Sequence, residues 1–266
     1  MMKSNTLRFA PLWLLLSWML PAGSKKISSN VTLQDVNQAI PLSMEMGAVD
    51  DMYSNCNAKM AIMVKNKYFT KELEGVFRDV WQKAKKCASG KYETREDAAL
   101  TMNHLQAICV YTSGYKNLYN LFNIAVRTKK NVYGTTFQYH SLHFWLTSAI
   151  QILQNKAGCH NTYRRTNNVF KGEVDQLIRF GSFTSTSKLS NLNHFGTKTC
   201  FKITTCYGAF LKKYPHLKDR EQEVLIPPYE TFQITKKDEV TQNDCEVVYV
   251  LHSVGYISLL NCQLAN

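Results

Sequence analysis

The residues with the clearest chemical content are Glu221 and Glu223, in the run Asp219-Arg220-Glu221-Gln222-Glu223-Val224-Leu225-Ile226-Pro227-Pro228. Two carboxylates separated by one residue stand at the mouth of an apolar segment that a double proline ends. If Glu223 opens a strand, side-chain alternation sends both acids to one face. Paired acids on one face suit chemistry at a cationic centre, where a fixed carboxylate stabilises developing positive charge. The competing reading is a solvated lip before a strand, the ordinary role of charged loop ends. The surrounding elements decide between the two.

With 266 residues, 45% of them apolar, the chain is long enough for one large domain or two small ones. Residues 1–24 read as a signal peptide. Lys3 and Arg8 precede the apolar run Phe9–Leu20, and Pro21-Ala22-Gly23-Ser24 supplies small residues at a cleavable end. That run is too short to span a bilayer comfortably. Residues 25–266 are expected to form a single domain, which keeps the formal charge of +12 less the two cations Lys3 and Arg8. In an oxidising compartment the eight cysteines suggest disulfides, and with no Cys-x-x-Cys pair a zinc site is not expected. Asn30-Val31-Thr32 is an N-glycosylation acceptor sequence. Gln263-Leu264-Ala265-Asn266 carries no apolar tail, so neither a lipid anchor nor stable membrane insertion is expected, and the protein reads as secreted.

The two halves differ in hydrophobic period. Leu73, Val76, Phe77, Val80, Trp81 and Ala84 recur at helical spacing after Thr70, a candidate N-cap. Further helices are predicted from about Glu96 to Thr112, Lys116 to Thr128 and Ser141 to Gln154. His140 and His143 lie beside aromatics and read as packed or surface residues rather than metal ligands. From about Asn161 the pattern turns to short extended runs: Leu177–Ser187, Thr199–Tyr207, Glu223–Leu225, Thr231–Lys236, Cys245–Ser253 and Tyr256–Leu264. Runs of this kind predict antiparallel sheets, and no glycine-rich strand-turn-helix fingerprint supports a Rossmann or P-loop site. The expected class is α+β, a helical N-terminal half packed on a mostly antiparallel, two-sheet β core.

Three motifs then fall in order: Thr162-Tyr163-Arg164, Arg179-Phe180-Gly181-Ser182-Phe183-Thr184-Ser185-Thr186-Ser187, and Glu221-Gln222-Glu223-Val224-Leu225-Ile226-Pro227-Pro228. Together they resemble the Arg, Ser-Thr-Ser and Glu-x-Glu signature of the vertebrate arginine-specific mono-ADP-ribosyltransferases, the ecto-ADP-ribosyltransferases. Phe69-Thr70-Lys71-Glu72-Leu73, Leu146-Thr147-Ser148-Ala149-Ile150-Gln151, Thr205-Cys206-Tyr207-Gly208-Ala209 and Asn261-Cys262 extend the likeness over the mature chain. A lone Ser-Thr-Ser or Glu-x-Glu would carry little weight, but three motifs in order are specific.

The resemblance implies a substrate, NAD+, and a role for each position. Glu223 would stabilise the oxocarbenium-like transition state as nicotinamide leaves, and Glu221 would engage the acceptor guanidinium. Ser185 would orient Glu223 by hydrogen bonding and support the cofactor, and Glu223 would also hold a ribose hydroxyl. Strand alternation leaves Ser187 as the alternative on a face that Phe183 shares, and the family pattern selects Ser185. Arg164 would hold the NAD+ phosphates, with Tyr163 and Phe183 beside the cofactor. Arg165 stands where the family commonly has a small residue, and Arg179 reads as structural. The resemblance also implies the disulfides Cys56–Cys262 and Cys159–Cys206. Cys87 and Cys109 lie on two helices that could pack together, and Cys200 and Cys245 on two strands. Acceptors would be arginine-bearing extracellular proteins. Lys212, Lys213, Lys218 and Arg220 in the loop before the acids would favour an acidic surface, with Tyr214 packing on the guanidinium. Two other classes compete: a family member that mainly hydrolyses NAD+ or acts only as a ligand, and a basic secreted ribonuclease. For the last, no two histidines pair with a lysine at a recognisable spacing, and no nucleic-acid partner is expected.

Overall fold

The computed structural model describes residues 39–154, 158–239 and 245–265, so the expected signal peptide and Asn30 lie outside the described residues. The N-terminal half is helical. Helix α1 (Asn57–Met63) runs through a π-helical turn (Val64–Tyr68) into α2 (Phe69–Glu72), followed by α3 (Gly75–Glu93), α4 (Met102–Thr112), α5 (Leu118–Thr128) and α6 (His140–Gln154). Met60, Val64 and Tyr68, spaced four apart, turn one buried stripe toward the core.

Two helix starts differ from expectation. Thr70 lies inside α2 and does not cap α3. The chain leaves helical geometry at Leu73 (ψ 62°) and restarts at Gly75, whose φ of +48° suits glycine. Helix α4 begins six residues later than the spacing predicts. There Thr101 and His104 form a capping box, the Thr101 side chain accepting from the His104 N–H and the His104 ring accepting from the Thr101 N–H.

The strands are β1 (Ile40–Pro41), β2 (His160–Thr166), β3 (Phe170–Lys171), β4 (Leu177–Ile178), β5 (Thr184–Ser187), β6 (Thr199–Thr205), β7 (Ala209–Phe210), β8 (Glu223–Ile226), β9 (Glu230–Asp238) and β10 (Val247–Tyr256). Eight of them order as β4-β9-β10-β6-β2-β5-β8-β7, antiparallel except for β6 with β10; β1 pairs with β3 alone. The run Tyr256–Leu264 is not the strand its composition predicts. The chain turns there, through Cys262 at φ 58°, to reach Cys56.

One joint in the sheet matters for function. Strand β2 pairs with β6 along its whole length, from His160↔Thr205 to Thr166↔Thr199, yet meets β5 only at Tyr163↔Ser187. The sheet therefore behaves as two parts meeting at a seam. One part packs Phe201, Phe232, Ile234 and Leu251 into a core that Ile226 of β8 joins from across the seam; Phe183, at the entrance to β5, packs instead among the helices.

Disulfides join Cys56 to Cys262, Cys159 to Cys206, Cys87 to Cys109 and Cys200 to Cys245. Arg179 is structural: its guanidinium pairs with buried Asp50 at 2.7 Å and donates to the carbonyls of Met44, Glu45 and Ile257. The two histidines of α6 are packed. His140 sits between Glu72 and the Tyr133 carbonyl, and His143 between the Tyr53 hydroxyl and the Val49 carbonyl.

The capping histidine generates a pH prediction. Burial lowers the His104 imidazole from 6.5 to about 4. Its contribution to stability is complete above pH 6.5 and is lost as pH falls toward 4, where the unfolded chain takes up the proton first. His104→Gln retains a side-chain acceptor at the third helical position and removes the titration. Denaturant unfolding at about pH 7 and about pH 4 should show the acid-induced loss reduced by about 3 kcal/mol in the variant, at about 1.4 kcal/mol per pH unit.

Candidate active site

Strands β5 and β8 carry the site. Their register sets Ser185 opposite Leu225 and Ser187 opposite Glu223. The Ser185 hydroxyl donates to Glu223 Oε1 at 2.6 Å, while Ser187 donates to the Glu221 carbonyl at 2.6 Å and Thr186 to the Val224 carbonyl. The two serines thus divide: Ser185 reaches the carboxylate, and Ser187 fixes the backbone that presents Glu221. Glu223 is only 6% exposed, and a carboxyl group buried to that degree needs a hydrogen-bond partner.

Glu221 and Glu223 line the same cleft, but simple alternation does not explain it. Gln222 adopts φ 41° and its N–H bonds to the Asp219 carbonyl, so the strand proper begins at Glu223. A left-handed turn, not a pleat, swings Glu221 round to the cleft.

The cleft is open on one side and lies over the seam between β2 and β5. Tyr163, Arg164 and Arg165 form one wall and Ser185, Thr186 and Ser187 another. Arg164 spans the seam, one guanidinium N–H donating to the Ser185 carbonyl at 2.7 Å. Arg165 turns its guanidinium onto the Ser190 carbonyl and Cys245 Sγ, which draws the loop after β5 toward β2.

Phe183 is a correction. Its side chain is 1% exposed, stacks on Phe122 and packs against Tyr111 and His143, so it lies beneath the site and not in the cleft. Its backbone still matters, because the Tyr111 hydroxyl donates to the Phe183 carbonyl at 2.8 Å just ahead of β5. Burial holds the Tyr111 phenol well above its ordinary range, so it remains a donor. Tyr214 is a second correction. It is fully buried and bonded through its hydroxyl to Asp97, so it cannot pack on an incoming guanidinium. Lys212 and Lys213 are paired with Asp97 and Glu96, which leaves Lys218 and Arg220 as the exposed cations of that loop.

Sequence reasoning missed the helical wall and the loop after β5: Tyr111, Tyr119 and Asn120 on one side, Leu192 and Phe195 on the other. Tyr119 breaks the phase of the Leu118, Phe122, Val126 stripe, a signal that it faces elsewhere. Phe195 is an aromatic isolated in a run of Asn, His, Gly and Thr, which a core would not require. Among the described residues no group of three or more His, Cys, Asp or Glu side chains could hold a metal ion, and no helix is long and apolar enough to cross a membrane.

Comparison with known proteins fits this geometry. Residues 42–255 match the model of the NAD:arginine ADP-ribosyltransferase family. Ecto-ADP-ribosyltransferase 4 of Homo sapiens is 36% identical over 236 residues, 82% of this chain and 71% of that protein. The GPI-linked NAD(P)(+)--arginine ADP-ribosyltransferase 1 of Mus musculus is 30% identical over 94% of this chain and 81% of its own length. Among solved structures, the eucaryotic mono-ADP-ribosyltransferase ART2.2, as a mutant in complex with NADH, superposes with a TM-score of 0.70 at 29% identity, covering 84% of this chain and 98% of that one. With the family model matching most of its length, this chain belongs to the NAD:arginine ADP-ribosyltransferases and takes NAD+ as its substrate.

Proposed function

We propose that residues 25–266 act as one secreted catalytic domain that transfers ADP-ribose from NAD+ to arginine side chains of extracellular proteins. The observation that carries this reading is the Ser185–Glu223 contact at 2.6 Å, in a cleft that Arg164 and Glu221 also line. The bond between ribose C1′ and the nicotinamide nitrogen breaks, and nicotinamide leaves neutral with the electron pair. Glu223, oriented by Ser185, stabilises the positive charge that develops on the ribose. An acceptor guanidinium nitrogen bonds to C1′ as Glu221 takes the displaced proton. The guanidinium remains charged in the product, so the balance closes without a further reactant.

Arg164 and Tyr163 serve the cofactor. A guanidinium already held by the Ser185 carbonyl keeps further N–H groups for the phosphates, and Tyr163 offers its ring beside it. Four disulfides suit an oxidising compartment, which supports an extracellular site of action. With Lys212 and Lys213 paired, any preference for acidic acceptor surfaces falls to Lys218 and Arg220.

The two acids should not behave alike. Glu223→Gln keeps size but removes the charge that steadies the oxocarbenium. Agmatine transfer and NAD+ hydrolysis should both fall about a hundredfold or more, on the order of 3 kcal/mol of transition-state stabilisation. Glu221→Gln removes only the partner of the guanidinium, so transfer should drop steeply while hydrolysis to ADP-ribose persists. Equal loss of both activities in the two variants would refute the division of labour. Arg164→Lys tests the cofactor side: a lysine lacks the planar fork that reaches Ser185 and a phosphate together. The KM for NAD+ should rise about tenfold with a smaller change in kcat, and an unchanged KM would remove Arg164 from phosphate binding.

A further inference from the structure

The loop 211–222, which delivers Glu221, is tied at one end to a corner of the helical layer. Tyr214 reaches into the connection between α3 and α4, where its hydroxyl donates to Asp97 Oδ2 at 2.8 Å and accepts from the N–H groups of Glu96 and Asp97. Lys212 Nζ donates to both oxygens of the same Asp97, at 2.7 and 2.8 Å. From α3, Lys91 Nζ donates to the carbonyls of Tyr214, at 2.6 Å, and Pro215. The His216 N–H then donates to Thr112 Oγ1 at 2.8 Å, and Thr112 itself lines the cleft.

Beyond this grip the chain is exposed from His216 to Arg220, until the Ser187 hydroxyl catches the Glu221 carbonyl. Three loop residues other than glycine hold left-handed backbone: Lys212 (φ 52°), Lys218 (φ 59°) and Gln222 (φ 41°). Such conformations persist where the surroundings over-determine them. At Lys212 the surroundings are Asp97 and Tyr214. None of Lys91, Asp97, Lys212 or Tyr214 lines the cleft.

We propose that the Tyr214–Asp97–Lys212 clasp is a positioning device for Glu221, setting the path of the acceptor loop and thereby governing arginine transfer separately from NAD+ cleavage. This rests on Glu221 serving the acceptor. Glu223 has supports of its own, the Ser185 hydroxyl on its carboxylate and its place in the β5–β8 ladder, and the loop meets it on the backbone, where the Leu211 N–H donates to the Glu223 carbonyl. Loosening the clasp therefore acts on Glu221 more than on the Glu223 carboxylate.

The test compares agmatine transfer with NAD+ hydrolysis in the full chain carrying Tyr214→Phe, which keeps the buried ring, or Lys212→Met, at a half-exposed position. Each should lower the ratio of transfer to hydrolysis about tenfold, as loss of a hydrogen bond to a charged group does, with the KM for NAD+ within about twofold of wild type. Lys212→Arg, which can still reach Asp97, should restore the ratio. Both rates falling together with thermal stability would mean a merely structural tie and would overturn the proposal. So would an unchanged ratio in Lys212→Met. Glu221→Gln is run alongside. If it shifts the ratio and the clasp variants do not, the clasp alone is overturned; if it does not shift the ratio, the role of Glu221 fails and the clasp proposal falls with it.

Discussion

An acid only 6% exposed must be given partners, and the position of Glu223 determines much of what surrounds it. Ser185 can donate to it at 2.6 Å only because β5 and β8 pair antiparallel in one register. A slip of one residue would turn Ser185 to the opposite face and leave the carboxylate without that donor. The register is pinned from both sides. Thr186 and Ser187 spend their hydroxyls on the Val224 and Glu221 carbonyls, and Tyr111 fixes the backbone at Phe183 from the helical layer. Hydroxyls bonded to backbone carbonyls, and not to the acid itself, therefore help set where Glu223 stands.

The cleft lies where the sheet is least bonded. Along β2 the ladder to β6 is complete, whereas the ladder to β5 is one residue pair long. Strands that pair so briefly diverge, and their divergence opens a space lined by backbone and short hydroxyl side chains. Arg164 is placed to bridge that gap, with part of its guanidinium on the Ser185 carbonyl. On the proposed reading its remaining N–H groups receive the NAD+ phosphates. The same economy recurs at Arg165, which uses its side chain to hold the Ser190 carbonyl and so the loop carrying Leu192 and Phe195.

Much of this was legible in the residues. The helical periods of α5 and α6, the change to extended runs after Asn161, and the order of Arg164, Ser185, Glu221 and Glu223 needed no coordinates. What was hidden is non-local. Pattern could not reveal that Phe183 points into the helices, because alternation gives a face but not what covers it. Nor could it show that Gln222 takes a left-handed turn, since the residue type does not require one. The basic loop misled for a related reason: Lys212 and Lys213 look free in the sequence, yet their acids, Glu96 and Asp97, lie more than a hundred residues earlier.

Disulfides complete the division between what is braced and what is left unbraced. Cys56–Cys262 closes a separation of 206 residues and ties the start of the helical layer to the final turn, a restraint worth up to about 5 kcal/mol in the chain-entropy picture. Cys159–Cys206 joins the approach to β2 with the end of β6, below the wall that Arg164 occupies. Cys87–Cys109 staples α3 to α4, the two helices whose connection holds Tyr214. Two of the bridges therefore brace the strand that carries Arg164 and the helical corner that holds Tyr214. The segment from Leu217 to Arg220 receives no such brace and stays exposed between two fixed ends. Braced walls suit a cofactor that is always the same, and on the proposed reading an unbraced edge suits acceptors that differ from one protein to the next.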